Sequence, residues 1–344
     1  MQLEYLDNDK YGFMLSQIHT SSKLLLTKSM YKSLLQSDSI EDIVIKLQST
    51  GYSSYLKDTK ITDKKDLIKA LDQGLKKEFM IFYEKSDCCL KALLTFFLRT
   101  HQIESFIYRI SNPEEVDEEL GFFVELLSLK FAKSFKEIYS FIIKDTFLKK
   151  YFKNIIVEDE IEQNNMQIIK RKLLKYHLED FYNSFQNDGL FLQKESEYND
   201  IKSESLQYMD TVLKTIGSLS IIEIVLNTIH TKITPFKRME LFPTVNDLKP
   251  SIRQLLSNCT SIDDLRNIIQ KTSYSSVLKH KDLLTGLHIY FLEVLYRSFT
   301  TFNDLTCVFC YFQLKEQEIK NISWVIEFMG NEEHNAMENI HTVD

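Results

Sequence analysis

The chain has 344 residues, 44% of them apolar and 26% charged, with a formal net charge of −7. That length and apolar content suffice for a sizeable core in two or three domains and exclude a disordered chain, and the negative balance argues against a nucleic-acid binder, which would carry a basic face. Eight glycines and four prolines leave few breaks, so long helices are expected, with strand signals almost absent.

Taken in order, a short irregular opening ends at Tyr11-Gly12-Phe13, and a helix is expected over 21–37. The next stretch begins Ser39-Ile40-Glu41-Asp42 and returns 222 positions later as Ser261-Ile262-Asp263-Asp264; residues 39–57 and 261–279 are identical at ten of nineteen positions. Such self-similarity is the mark of a repeated structural unit. Ser followed three residues on by Asp, just ahead of an apolar run, is a helix start: the hydroxyl accepts from a free backbone N–H and the carboxylate suits the positive end of the dipole. Ile40, Ile43 and Leu47, like Ile262, Leu265 and Ile269, then recur at helical spacing.

A weaker middle copy lies at an offset of 96, where Glu137, Thr146 and Tyr151 stand opposite Glu41, Thr50 and Tyr55. The segments downstream of the copies recur too, as Leu178-Glu179-Asp180-Phe181-Tyr182-Asn183-Ser184-Phe185 reappears as Leu292-Glu293-Val294-Leu295-Tyr296-Arg297-Ser298-Phe299. Long helices are expected over 63–84, 87–110, 166–185, 205–230, 283–300 and 303–329. Asn112-Pro113 and an acidic loop over 114–119 separate the first unit from the second, a polar linker covers 186–203, the proline-marked segment 231–250 precedes the third unit, and 331–344 reads as a polar tail. The domains expected are 1–112, 113–230 and 231–330, followed by the tail.

Chemistry is mostly excluded. The closest pair of glycines, Gly51 and Gly74, stands 23 residues apart, so neither a phosphate-cradling loop, a dinucleotide fingerprint nor a Gly-x-Ser-x-Gly elbow can be written. His-Glu-x-x-His is missing, and a single histidine such as His177 on an amphipathic helix reads as a core-edge or surface residue. Cys307-Val308-Phe309-Cys310 has redox-motif spacing but sits in an apolar helical run without a preceding strand, and reads as buried structural thiols. Cys88 and Cys89 read as core filling. Lys170-Arg171-Lys172 with Lys175 reads as a solvated helix face, and Glu78, Glu179 and Glu293, one per unit, as ion-paired scaffold residues.

No apolar run reaches the length of a membrane span. Met1-Gln2-Leu3-Glu4 lacks a basic lead into an apolar stretch, so no secretory leader is expected. Five cysteines without framework spacing fit a reducing compartment. No catalytic, cofactor-binding or metal-binding residue is expected.

Three segments carry a family resemblance: Tyr151-Phe152-Lys153-Asn154; Met166-Gln167-Ile168-Ile169-Lys170-Arg171-Lys172-Leu173 running into Leu178-Glu179-Asp180-Phe181-Tyr182; and Lys315-Glu316-Gln317-Glu318-Ile319-Lys320-Asn321-Ile322-Ser323-Trp324. Through them the chain resembles the subunit d family of vacuolar-type proton ATPases, which has a counterpart in the archaeal-type rotary ATPases. The resemblance implies an all-α fold of three similar helical domains arranged with pseudo-threefold symmetry as a funnel. It implies a non-catalytic rotor part that couples the central stalk to the proteolipid ring at the cytosolic face of vacuolar or other acidified membranes, held there through partner subunits. An all-helical adaptor or tethering protein unrelated to the pump is the alternative.

On the last helix, Ile319 and Ile322 share a face with Glu318 or Lys315 at its edge. Glu316, Gln317 and Lys320 are therefore expected on an outer ridge, as candidate partner contacts or, on the plainer reading, as part of a helix that only locks the third unit, with Trp324 in the core.

Overall fold

The computed structural model describes residues 12, 14–18, 20, 25–57, 59–111, 135–154, 166–187, 204–301, 305–329 and 340. The acidic loop 114–119, the linker beyond residue 187 and most of the tail lie outside these residues. Among the described residues all regular structure is helical. In chain order the α-helices are α1 Lys28–Leu35, α2 Ile40–Gln48, α3 Ser53–Leu56, α4 Lys64–Lys85, α5 Cys88–Ser111, α6 Phe135–Asp145, α7 Lys149–Asn154, α8 Met166–Asn187, α9 Glu204–Thr228, α10 Pro235–Leu241, α11 Pro250–Ser257 and α12 Ile262–Ile269. A 3₁₀ turn, Ser275–Lys279, then leads into α13 Leu283–Thr301 and α14 Leu305–Phe328.

The repeated stretch folds alike in both copies. Ser39 Oγ accepts from Asp42 N–H at 3.2 Å, and Ser261 Oγ accepts from Asp264 N–H at 3.1 Å, each from an extended N-cap residue. Both copies then run through a buried tyrosine, Tyr52 or Tyr274, into one short helical turn. The likeness also reaches upstream of the sequence match, because α1 and α11 occupy the same offset of 222 ahead of α2 and α12.

The middle stretch has the same order of elements, helix, short helix, long helix, as α6, α7 and α8. In the first and third copies the short turn lies against a glycine of the following long helix. A Cβ on Gly74 would stand 2.2 Å from the Tyr55 ring, and one on Gly286 would stand 2.4 Å from the Val277 carbonyl oxygen. The helix-propensity cost of glycine, roughly 1 kcal/mol, is offset by that close approach.

Pro235 and Pro250 do not interrupt helices but begin α10 and α11, where the missing N–H had no intrahelical partner in any case. Helix α10 lies inside the proline-marked segment 231–250. Its Arg238 is buried, and its guanidinium donates to the carbonyl oxygens of Thr228, Ser257 and Cys259 at 2.6–3.0 Å. Thr228 and Ser257 end α9 and α11, so the cation meets the negative ends of two helix dipoles.

The chain divides into two compact units, each made of discontinuous segments. The first comprises residues 1–91, 196–212 and 274–344; within it α14 packs on α1, α4 and α13, and α3 packs on α4. The second comprises 92–195 and 213–273, with α6 on α7, α8 on α10, and α11 on both α10 and α12. Its hydrophobic cluster joins Ile103, Phe106, Ile107 and Ile110 to Ile142, Leu148, Tyr151, Phe152, Met166, Ile169 and Leu173. The basic run Lys170-Arg171-Lys172 is not simply a solvated face: Lys170 pairs with Glu104 at 3.0 Å, Arg171 grips Glu223 with both terminal nitrogens, and nearby Lys175 donates to the Glu240 carbonyl oxygen at 2.6 Å.

Candidate functional site

Within the first unit, α14 turns polar side chains inward. Apolar residues such as Val308, Phe312, Ile319, Ile322, Val325 and Ile326 occupy most of its circumference, so the polar residues between them are carried into the interior too. Lys315 is 2% and Glu318 7% exposed. They pair at 2.9 Å, one turn apart.

Burying two charges is costly unless the pair is well bonded, and Glu318 is. It accepts from Tyr52 Oη at 2.8 Å and from the Leu26 backbone N–H as well as from Lys315. The Lys315 ammonium also stands over the Tyr52 ring, 3.9 Å from its centroid, an arrangement that the ring quadrupole favours. Burial first, and the Glu318 charge second, hold the Tyr52 hydroxyl well above its ordinary pKa, so it stays a donor.

One turn earlier, Tyr311 Oη donates to Glu78 Oε1 at 2.7 Å, and Tyr55 Oη donates to the other oxygen of the same carboxylate. Tyr55 therefore joins the repeated turn, the glycine contact on α4 and the Glu78 carboxylate. The middle copy repeats the device, since Tyr151 Oη donates to Asp180 Oδ2 at 3.0 Å. On the other side of α14, His288 Nε2 donates to Gln317 Oε1 at 2.8 Å, and Gln317 Nε2 donates to Asn321 Oδ1 at 2.9 Å.

Beside this network lies a cavity of about 410 Å³ whose lining includes Tyr55, Lys57, Lys77, Glu78, Tyr311 and Lys315.

The expected partner ridge is only partly present. Lys320 is exposed and forms a 2.5 Å ion pair with partly buried Glu316, but Gln317 is 8% exposed and committed to His288 and Asn321. The reason is that α14 is covered on more than one flank, so an outer ridge inferred from a single apolar face is too wide. Trp324, expected in the core, is 39% exposed and lies flat on Phe328 at 4.2 Å.

Other expectations also change. Cys307 and Cys310 are buried as expected, but Cys88 is exposed and Cys89 half-buried, because both lie in the first turn of α5 ahead of its covered stretch. His177 is a core residue, 4% exposed, stacked on Phe96 and donating to the Phe96 carbonyl oxygen at 3.0 Å. Desolvation by that burial pushes its pKa down to about 4. The recurring glutamates are not equivalent ion pairs: Glu78 takes two tyrosine hydroxyls, Glu179 takes the Thr244 backbone N–H at 2.7 Å, and Glu293 is exposed. By its tyrosine partner, the counterpart of Glu78 in the middle copy is Asp180.

Sequence reading does not single out the Lys315–Glu318 pair and the Tyr52 and Tyr55 hydroxyls as one network. The available signal is a tyrosine at the same place in both clear copies, Tyr52 and Tyr274, with an (i, i+3) Lys–Glu pair inside an apolar run.

Among the described residues the chain is helical, with an internally repeated order of elements and a hydrogen-bonded polar core. Residues 16–338 match the family model described as ATP synthase (C/AC39) subunit, and the chain belongs to that family. Among its relatives, the V-type proton ATPase subunit d of Saccharomyces cerevisiae is 25% identical over 96% of this chain and 97% of its own length. The probable V-type proton ATPase subunit d of Oryza sativa subsp. japonica is 24% identical over 95% and 94%, and the V-type proton ATPase subunit d of Dictyostelium discoideum is 24% identical over 93% and 91%. No described helix is long and apolar enough to cross a membrane.

Proposed function

We propose that this chain is the subunit d of a V-type proton ATPase: a non-catalytic rotor part that couples the central stalk to the proteolipid ring, so that ATP hydrolysis drives proton transport. The observation that carries the reading is end-to-end similarity to proteins of that name in yeast, rice and Dictyostelium. The fold is compatible with the task. A part that passes torque needs stiffness and separate contact faces rather than a reactive group, and close-packed helices tied by buried hydrogen bonds supply stiffness.

On this reading the three successive helical stretches, bounded near 1–112, 113–230 and 231–330, superpose by rotations of about 120° around one axis, forming a funnel that receives the stalk. The chain sits peripherally on the cytosolic face of an acidified membrane, held through its partners. Glu316 and Lys320 remain the candidates for a contact with another rotor subunit; Gln317 is withdrawn because its side chain is spent inside the unit.

Affinity purification of the tagged chain from detergent-solubilised membranes tests the reading. Proteolipid and central-stalk subunits should co-purify in fixed ratio, and their absence would leave an adaptor unrelated to the pump. The double change Glu316→Ala with Lys320→Ala should leave the melting temperature unchanged and weaken co-purification of a rotor partner. Unchanged recovery of every partner would remove this pair from the interface.

A further inference from the structure

The cavity beside the α14 network has no role in the coupling just described, and its lining has a definite chemistry. Its volume, about 410 Å³, falls within the roughly 300–1,000 Å³ of small-molecule pockets. Three lysines line it, Lys57, Lys77 and Lys315, with Ser54, Thr59 and Gln17 supplying further polar groups. The carboxylate in the lining, Glu78, already accepts on both oxygens from Tyr55 and Tyr311.

Lys315 makes the site more than a surface cluster. It is 2% exposed, and among the described residues its ammonium is hydrogen-bonded to Glu318 and stands over the Tyr52 ring. An ammonium carries three N–H donors, and Glu318 is shared with Tyr52 and Leu26. Lys315, held by Glu318 and the Tyr52 ring, thus borders a cavity whose lining also carries two exposed lysines, Lys57 and Lys77, in a chain whose overall charge is negative.

We propose that this cavity binds a phosphate monoester of a small polyol. A phosphate ester brings about −1.5 to −2 charges and three acceptor oxygens at neutral pH, which matches the two exposed ammonium groups of Lys57 and Lys77, and charge-assisted bonds of this kind are the strong ones. The hydroxyl and amide groups of Ser54, Thr59 and Gln17 match the hydroxyls of the polyol. The ester is either a free metabolite or the headgroup of a phosphoinositide; both present the same chemistry to the cavity.

Titration calorimetry of the full chain with myo-inositol 1-phosphate, and sedimentation with phosphatidylcholine vesicles with or without phosphatidylinositol 4-phosphate, tests this. Binding should appear in at least one arm and fall at least tenfold in the double variant Lys57→Gln with Lys77→Gln, both exposed and outside the folded core. The control double variant Lys232→Gln with Lys237→Gln, exposed lysines elsewhere, should bind like the parent. Binding of the soluble ester identifies a metabolite site, and binding to the phosphoinositide vesicles alone identifies a headgroup site. No binding in either arm at millimolar ester, equal binding by the Lys57/Lys77 variant, or equal loss in the control variant overturns the proposal. None of these outcomes depends on the partner subunits, so failure here is separate from failure of the rotor reading.

Discussion

The first and second units solve the same packing problem with different materials. In the second, the cluster around Phe106, Ile142, Phe152 and Leu173 is apolar, and Phe106 and Phe152 meet edge to face at 5.7 Å. In the first, the face of α14 against α3 and α4 is a chain of buried and half-buried polar groups, Lys315, Glu318, Tyr52, Glu78, Tyr55 and Tyr311. Apolar burial is strong but accepts many side chains of similar volume, whereas a polar network is satisfied in one register and is costly in any other. The last described helix is thereby locked to the first repeat by hydrogen bonds that span more than 230 residues of sequence. That lock suits a part that transmits force.

The sharpest way to break the contrast is to strand a charge. Glu318→Ala leaves the buried Lys315 ammonium with no carboxylate and should cost about 3–5 kcal/mol. Lys315→Met leaves Glu318 with the Tyr52 and Leu26 donors and should cost less, about 1–3 kcal/mol. Urea denaturation of both variants measures the difference. Equal, small losses would mean that the network adds nothing to the apolar contacts around it.

The second unit has its own buried polar group in His177. It titrates at about 4 in the folded chain against an ordinary value of 6.5, so it is neutral when folded and the unfolded chain binds the proton more readily. Its contribution is fully present above pH 6.5 and is lost as pH falls from there towards 4, in total roughly 3 kcal/mol. His177→Gln should flatten the fall in stability between pH 6.5 and 4, measured as urea midpoints across that range. An unchanged slope would assign the acid sensitivity to other groups.

Much of the contrast is legible in sequence, but unevenly. Helix existence follows from apolar spacing, and the caps at Ser39 and Ser261 from one local rule, because each depends on residues within one turn. Burial on α14 is not legible, because whether Gln317 or Trp324 faces inward depends on what covers the second flank of the helix, and no local pattern records that. The equivalence of Glu78 with Glu179 fails for a similar reason: adjacent acidic residues on α8 point in different directions, and it is Asp180 that meets the tyrosine of the preceding turn. The cavity is a product of tertiary packing, with Gly51, Ala70 and Gly74 in its lining beside the lysines.

The smallest effect bears on the repeat itself. Ser39→Ala and Ser261→Ala each remove one cap acceptor and should each cost about 1 kcal/mol, with similar values because the two caps share their geometry. A large difference, read from the same denaturation series, would show that the two copies carry unequal loads despite their likeness.

The central claim, that this helical scaffold couples a rotary proton pump, is tested most directly by ATP-driven acidification of membrane vesicles from cells lacking the chain. The account predicts that proton uptake is lost and is restored by re-expressing the chain. Full ATP-dependent proton uptake in its absence, with no other subunit d present, would contradict it.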